Sequence, residues 1–213
     1  MGWFDLSHPI DDGIPAYPGD PRPRLERIKE LTSDGYVAYQ LQCGMHIGTH
    51  VDAPMHLVEG GKRISEIPVE HFMGKAVLVD VRGRDIIHYH PDYQKKIAFG
   101  DIVLFYTGWD RYYGEDRYYR EHPVLDRKLA EFLIEKRVKL IGLDMPSPDK
   151  APFEIHKLLL TKDIFIIENL TGLGQLEGKD SIELIAIPLK IHAEASLVRV
   201  IARISFPSET GGI

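Results

Sequence analysis

The chain has one cysteine, Cys43, among 213 residues. That excludes an internal disulfide and points to a reducing, cytoplasmic setting. A lone thiol so placed reads as a buried or incidental side chain. No apolar run is long enough to span a bilayer. Met1-Gly2-Trp3-Phe4-Asp5 has neither the basic stretch nor the apolar core of a secretory leader. Lys and Arg never gather into a dense run and the formal net charge is −6, so nucleic acid is not an expected partner. Repeats, low-complexity tracts and breaks in composition are also missing. What remains, 44% hydrophobic and 27% charged residues, is an ordinary globular composition. The length fits one domain over residues 1–213 with room for a sizeable core.

Against this plain background eleven residues stand out: His46-Ile47-Gly48-Thr49-His50-Val51-Asp52-Ala53-Pro54-Met55-His56. Groups able to bind a metal or move a proton, His46, His50, Asp52 and His56, occupy even positions. Apolar or β-branched residues fill the odd ones. In an extended chain alternate side chains point to opposite faces, so one face is ligand-rich and the other can enter a core. A straight strand would set His46 and Asp52 about 20 Å apart, whereas a zinc ligand lies about 2 Å from its ion. The stretch must therefore bend, and Gly48 and Pro54 are where it can do so. A solvated strand face normally carries Lys, Glu, Thr or Ser, which makes a metal or catalytic role the expected one.

The flanking chain reads as an α/β domain. Residues 3–7 form a short strand, and residues 22–31 and 36–45 an antiparallel pair. Residues 14–21 make a Pro/Gly-rich loop that holds Tyr17 as a pocket wall would. Residues 75–81 read as a strand buried on both faces, and residues 101–107 as another. A helix over residues 126–137 follows, with apolar Leu129, Phe132 and Leu133 on one side, and then a strand over residues 138–144. This strand–helix–strand unit is expected to be a right-handed parallel crossover. Residues 154–160 give a short helix bearing His156. Residues 164–170 form a strand with Glu168 embedded among apolar neighbours, where a carboxylate needs a partner. Residues 184–190 and 196–204 are two further strands. Asp144 orients a ligand or caps its loop. His88 and His90 read as surface, and residues 110–123, with four Tyr and three Arg, as a solvated connection.

The eleven-residue stretch resembles the H-x-G-T-H-x-D-x-P-x-H signature of the metal-dependent cyclase family, whose best-understood members are the bacterial arylformamidases, or kynurenine formamidases. Pro18-Gly19-Asp20, Thr107-Gly108-Trp109, the run from Gly142 to Asp149, and Pro188-Leu189-Lys190 with Val198-Arg199 are similar to further landmarks of that family, in its order. The resemblance implies a single α/β domain of the swivelling ββα type, with a mixed β-sheet, barrel-like core and flanking helices, assembled as a homodimer. It implies one or two divalent metals per chain, zinc first, with manganese or iron as alternatives. His46, His50 and Asp52 would hold the first, Asp52 would also reach the second, His156 would belong to the second, and Glu168 could reach both. His56 would be the proton donor and acceptor. Tyr17 stands where formamidases carry a Trp against the substrate ring. The implied activity is hydrolysis of N-formyl-L-kynurenine, or a similar N-formyl aryl amine, to the free amine and formate, as in tryptophan catabolism. Two alternatives stay open: a relative that opens a cyclic amide, and a non-catalytic metal-binding protein. Structural zinc sites are usually closed and Cys-rich, which counts against the second.

Overall fold

A computed structural model describes residues 2–204. The two ends of the one-domain expectation, residue 1 and residues 205–213, lie outside the described residues. Nine strands make the main sheet: β1 (Trp3–Asp5), β2 (His50–Asp52), β3 (Met73–Asp80), β4 (Ile102–Tyr106), β5 (Leu140–Leu143), β6 (Phe165–Glu168), β7 (Ile182–Ile185), β8 (Ala195–Leu197) and β9 (Ile201–Ile204). Their order across the sheet is β1-β9-β7-β3-β4-β5-β6-β2-β8. The four central strands, β3 to β6, run parallel. The remaining pairings are antiparallel.

The two longest helices lie in connections between the parallel strands. Helix α1 (Arg127–Glu135) joins β4 to β5, as the strand–helix–strand pattern requires, and buries Leu129, Ala130, Phe132 and Leu133. It begins where the Asp126 carboxylate accepts the Leu129 N–H at 2.7 Å, satisfying one of the donors a helix start leaves over. Helix α2 (Glu154–Leu160) joins β5 to β6 and buries Ile155, His156, Leu159 and Leu160. One apolar cluster, with Val103, Phe105, Leu129 and Ile166, lies on the face that the helices cover. A second, with Leu104, Leu140, Phe165 and Ile167, lies on the other. The period-two alternation of β4 and β6 feeds both.

The C-terminal segment closes the sheet. Residues 196–204 do not form one strand. Ala195–Leu197 lies at one edge beside β2, and Ile201–Ile204 lies next to β1 at the other. Three residues join them, which spans at most about 14 Å from Leu197 to Ile201. A flat nine-stranded sheet is far wider than that at roughly 4.8 Å per strand, so the sheet must curl until its edges nearly meet. Cross-links seal the gap: Leu6 N–H donates to the Val200 carbonyl (2.9 Å), Thr171 N–H to Leu6 (3.0 Å), and Val198 N–H to Thr49 (3.1 Å).

Other expectations are also corrected. The strand expected over residues 184–190 is Ile182–Ile185, ending before Pro188, which makes only an isolated bridge with Val198 because proline has no N–H for a ladder. In β3 only Ala76 and Val79 are buried, while Lys75 and Asp80 are exposed and Val77 and Leu78 are half-buried at the margins of the two clusters. The expected antiparallel pair is present as Arg24–Lys29 with Ala38–Gln42, a two-stranded hairpin separate from the main sheet. Among the described residues no helix is long and apolar enough to cross a membrane.

Candidate metal and active site

The site grows from a register. Paired residues on neighbouring strands share a face, as do residues two apart on one strand. Glu168 pairs with His50, and Ile166 with Asp52. His50, Asp52 and Glu168 therefore project together from the helix-covered side of the sheet, at the carboxyl end of β6, where open α/β sheets place ligands. Helix α2 brings His156 down onto the same spot. His46 arrives from the preceding bend, where Gly48 holds φ at +53°, a conformation that L side chains resist. After β2 the chain turns at Pro54 into a single 3₁₀ turn, Pro54–His56, which sets His56 beside His46 with ring centroids 4.2 Å apart. The expected bends thus lie at Gly48 and Pro54, and the regular strand between them is only three residues long. Of the odd positions Ile47, Thr49, Val51 and Ala53 are buried and Met55 is exposed, because the 3₁₀ turn has already left the sheet.

The distances describe two overlapping groups with Asp52 in both. The ligand atoms of His46, His50 and Asp52 lie within 4.8 Å of one another, and so do those of Asp52, His156 and Glu168. Asp52 Oδ1 is 3.1 Å from His46 Nδ1 and 3.5 Å from His50 Nε2, while Asp52 Oδ2 is 3.5 Å from His156 Nε2. Glu168 reaches His50 Nε2 at 3.3 Å and His156 Nε2 at 3.1 Å. Burial opposes the charge on Asp52, but the imidazoles of His156, His46 and His50 outweigh it and hold the carboxyl well below the usual range. Glu168 is also held low: burial and the neighbouring Asp52 push it up, and His156 with His50 prevails. Burial disfavours a charged His46, yet Asp52, Glu168 and Glu194 raise it to about 9. Two carboxylates held in the ionised form thus sit at 1% and 6% exposure among imidazoles.

The donor set fits a divalent cation. His50 Nε2, both oxygens of Asp52 and Glu168 Oε1 are buried without a hydrogen-bond partner, a costly arrangement that a bound ion removes. The imidazoles are aimed from behind. His50 Nδ1 faces the Gly48 carbonyl at 2.9 Å, and His156 Nδ1 faces Asp149 Oδ1 at 2.8 Å, which leaves each Nε2 lone pair turned inward. Asp149 does double duty, since its Oδ2 also accepts the Ile155 N–H at 2.6 Å at the start of α2.

Above this group opens a cavity of about 250 Å³, walled by Pro15, Tyr17, Leu57, Tyr119 and Phe153, with Asp20 also lining it. Tyr17 stands edge-on to Tyr119 at 5.6 Å. His56 lines the same cavity; burial lowers its pKa, as do the His46 and His156 charges, against the pull of Asp52 and Glu168.

Several residues here were not singled out from sequence. Tyr119 belongs to the segment read as a solvated connection, and that reading is corrected: Tyr118 is fully buried, donates its hydroxyl to Asn169 Oδ1 at 2.8 Å and anchors the segment over the site. Asn169 in turn donates Nδ2 to the Gly48 carbonyl at 2.8 Å. Glu194, from the turn before β8, lies 3.5 Å from His46 Nε2. Asp144 caps rather than binds, accepting Thr107 N–H at 2.9 Å and Gly108 N–H at 2.7 Å. His88 is exposed beside Asp126, and Cys43 is a half-buried thiol pushed up by burial.

Comparison with known proteins adds three findings. The family model "Putative cyclase" matches residues 4–150. The kynurenine formamidase of Bacillus cytotoxicus is 31% identical over 206 residues, covering 94% of this chain and 97% of that enzyme. Among solved structures, isatin hydrolase A from Labrenzia aggregata, bound to benzyl benzoate, superposes with a TM-score of 0.84 at 27% identity over 96% of this chain and 94% of that one. A "Potential Metal-Dependent Hydrolase With Cyclase Activity" superposes at 0.78 with 28% identity over 97% and 99%.

Proposed function

This chain belongs to the cyclase family, and from that membership we propose that it is a metal-dependent hydrolase that cleaves an amide C–N bond beside an aryl ring, with the N-formyl group of an N-formyl aryl amine as its substrate. The observation that carries this reading is the pair of buried ionised carboxylates, Asp52 and Glu168, set among imidazoles at the foot of an aromatic cavity.

His46, His50 and Asp52 would hold one divalent ion, and Asp52, His156 and Glu168 a second. Zinc suits imidazole and carboxylate donors, as do manganese and iron. When bound, such an ion supplies Lewis acidity toward a carbonyl oxygen and toward water. The chain's own residues do the rest. Gly48 and Asp149 aim His50 and His156. Tyr17, Tyr119 and Phe153 present aromatic faces and edges to the aryl ring and keep water from it, each contact worth about 0.5–1.5 kcal/mol. His56, neutral at pH 7 because burial lowers its pKa, takes a proton from the attacking water and passes it to the leaving nitrogen. With N-formyl-L-kynurenine the products are kynurenine and formate, a step of tryptophan breakdown.

The kynurenine formamidase relatives support this substrate. The likeness to isatin hydrolase A favours a second reading, opening of a cyclic amide fused to an aryl ring by the same groups. Turnover of N-formyl-L-kynurenine and of isatin, each with zinc and with manganese, separates the two. Hydrolysis of neither with either metal sinks both. We further take the working unit to be a cytoplasmic homodimer: the lone Cys43 supports the compartment, and the exposed apolar side chains of the hairpin support the contact.

A further inference from the structure

One charged group of the cavity has no part in the chemistry just described. Asp20 lines it, apart from the metal-type carboxylates, at the end of the turn that carries Tyr17. Its backbone N–H donates to the Tyr17 carbonyl at 3.0 Å, and Gly19, at φ +103°, lets the chain make that turn. Tyr17 and Asp20 are therefore held in fixed relation. Tyr17, Asp20 and Glu168 all line this one cavity. Among the described residues the Asp20 carboxylate has no hydrogen bond or ion pair. Among the described residues, no Lys or Arg lines the cavity. A ligand carboxylate would find no Lys or Arg there, whereas a ligand cation would find an unpaired anion in the same cavity as the reacting centre.

We propose that Asp20 is a specificity-determining residue that recognises an aliphatic ammonium group at the far end of the substrate. The assignment rests on the aryl-amide reading of the site for its orientation. Asp20, Tyr17, His56 and Glu168 line one cavity, so the two ends of one substrate are to set an ammonium at Asp20 and a scissile amide at His56 and Glu168. Asp20 is exposed, so the gain is that of a part-solvated ion pair and falls as salt screens it.

Two measurements on metal-loaded enzyme test this. The first compares kcat/KM for N-formyl-L-kynurenine, which bears the ammonium, with that for N-formyl-2-aminoacetophenone, which has the same aryl ketone without it. Asp20→Asn is expected to lower the ratio of the two about fivefold, the size of an exposed ion pair, through KM rather than kcat, with the difference shrinking at 1 M salt. The second needs no turnover. L-kynurenine methyl ester keeps the ring and the ammonium but has neither formyl group nor carboxylate. By calorimetry it should bind the wild type about fivefold more tightly than Asp20→Asn, while 2-aminoacetophenone should distinguish the two proteins far less. An unchanged ratio, or equal binding of the ester to both proteins, overturns the assignment even if both formamides are hydrolysed. If the ester binding differs as expected and neither formamide is cleaved, Asp20 stands and the formamidase reading falls.

Discussion

The imidazole of His156 is gripped on two sides. Its Nε2 faces Asp52 and Glu168, and its Nδ1 faces Asp149, which also ties down the first turn of α2. Breaking the rear grip should loosen the ligand without touching the ion. Asp149→Ala is therefore expected to weaken divalent-metal affinity by about 10- to 100-fold, read by competition with a chelating dye, and Asp149→Glu should recover part of it. A second expectation concerns His56. His56→Ala should keep its metal by elemental analysis while kcat falls about 10²- to 10⁴-fold; full turnover would remove His56 from the reaction. Because burial keeps the imidazole pKa below 6.5, the base is neutral at pH 7. Activity should then be level near neutrality and fall on the acid side with a midpoint under 6.5. A midpoint above 7 would mean that another group carries the proton. The ligand candidates were legible in the sequence because three of them, with His56, crowd into eleven residues and Glu168 sits in an apolar strand. Asp149, Asn169 and Glu194 were not, since each acquires its role only when separate segments meet. A faint signal existed for two of them. Asp149 is an acid shortly before a helix start, and Asn169 is a residue type tolerant of the left-handed conformation it adopts at φ +57°.

Among elements, the 3₁₀ turn Pro54–His56 carries the most consequence for its size. It is braced from outside by Gly61, where an added Cβ would stand 2.5 Å from the Pro54 carbonyl carbon and 2.6 Å from the Met55 nitrogen. Backbone cannot yield as a flexible side chain does. Gly61→Ala should cost about 1–3 kcal/mol in urea unfolding and displace His56, so that kcat drops with metal content unchanged. A variant as stable and as active as the parent would show that the turn gives way freely. Helix α1 and strands β4 to β6 were legible because amphipathic spacing and unbroken apolar runs are local signals. The division of residues 195–204 into two strands was not. The run is mostly apolar with no Gly or Pro to mark a break, and its change of partner comes from the curl of the sheet, which no short window contains. Residues 110–123 misled for a related reason: polar and aromatic side chains mixed in a loop read as surface until Tyr118 is seen to find Asn169.

At the scale of the molecule, the hairpin Arg24–Lys29 with Ala38–Gln42 stands apart from the main sheet and leaves Ile28, Leu31, Tyr36, Val37, Tyr39 and Leu41 largely exposed. Such a group on a protruding ribbon is a natural contact for a second copy. Sedimentation should give twice the 24.2 kDa of one chain, and Tyr39→Lys combined with Leu41→Glu should halve it while leaving the circular dichroism intact. A monomeric parent would leave the hairpin without this role.

The seam between β8 and β9 bears on how the protein is made. His46, His50 and Asp52 fall within seven consecutive residues, so a growing chain carries this half of the site early. Its other half waits for His156 and Glu168, and its cover waits for β8, whose Ala195 pairs with Asp52 across most of the chain's length. Contacts so distant in sequence form slowly. During synthesis the first trio therefore emerges before either the residues that complete the group or the strand that pairs with it.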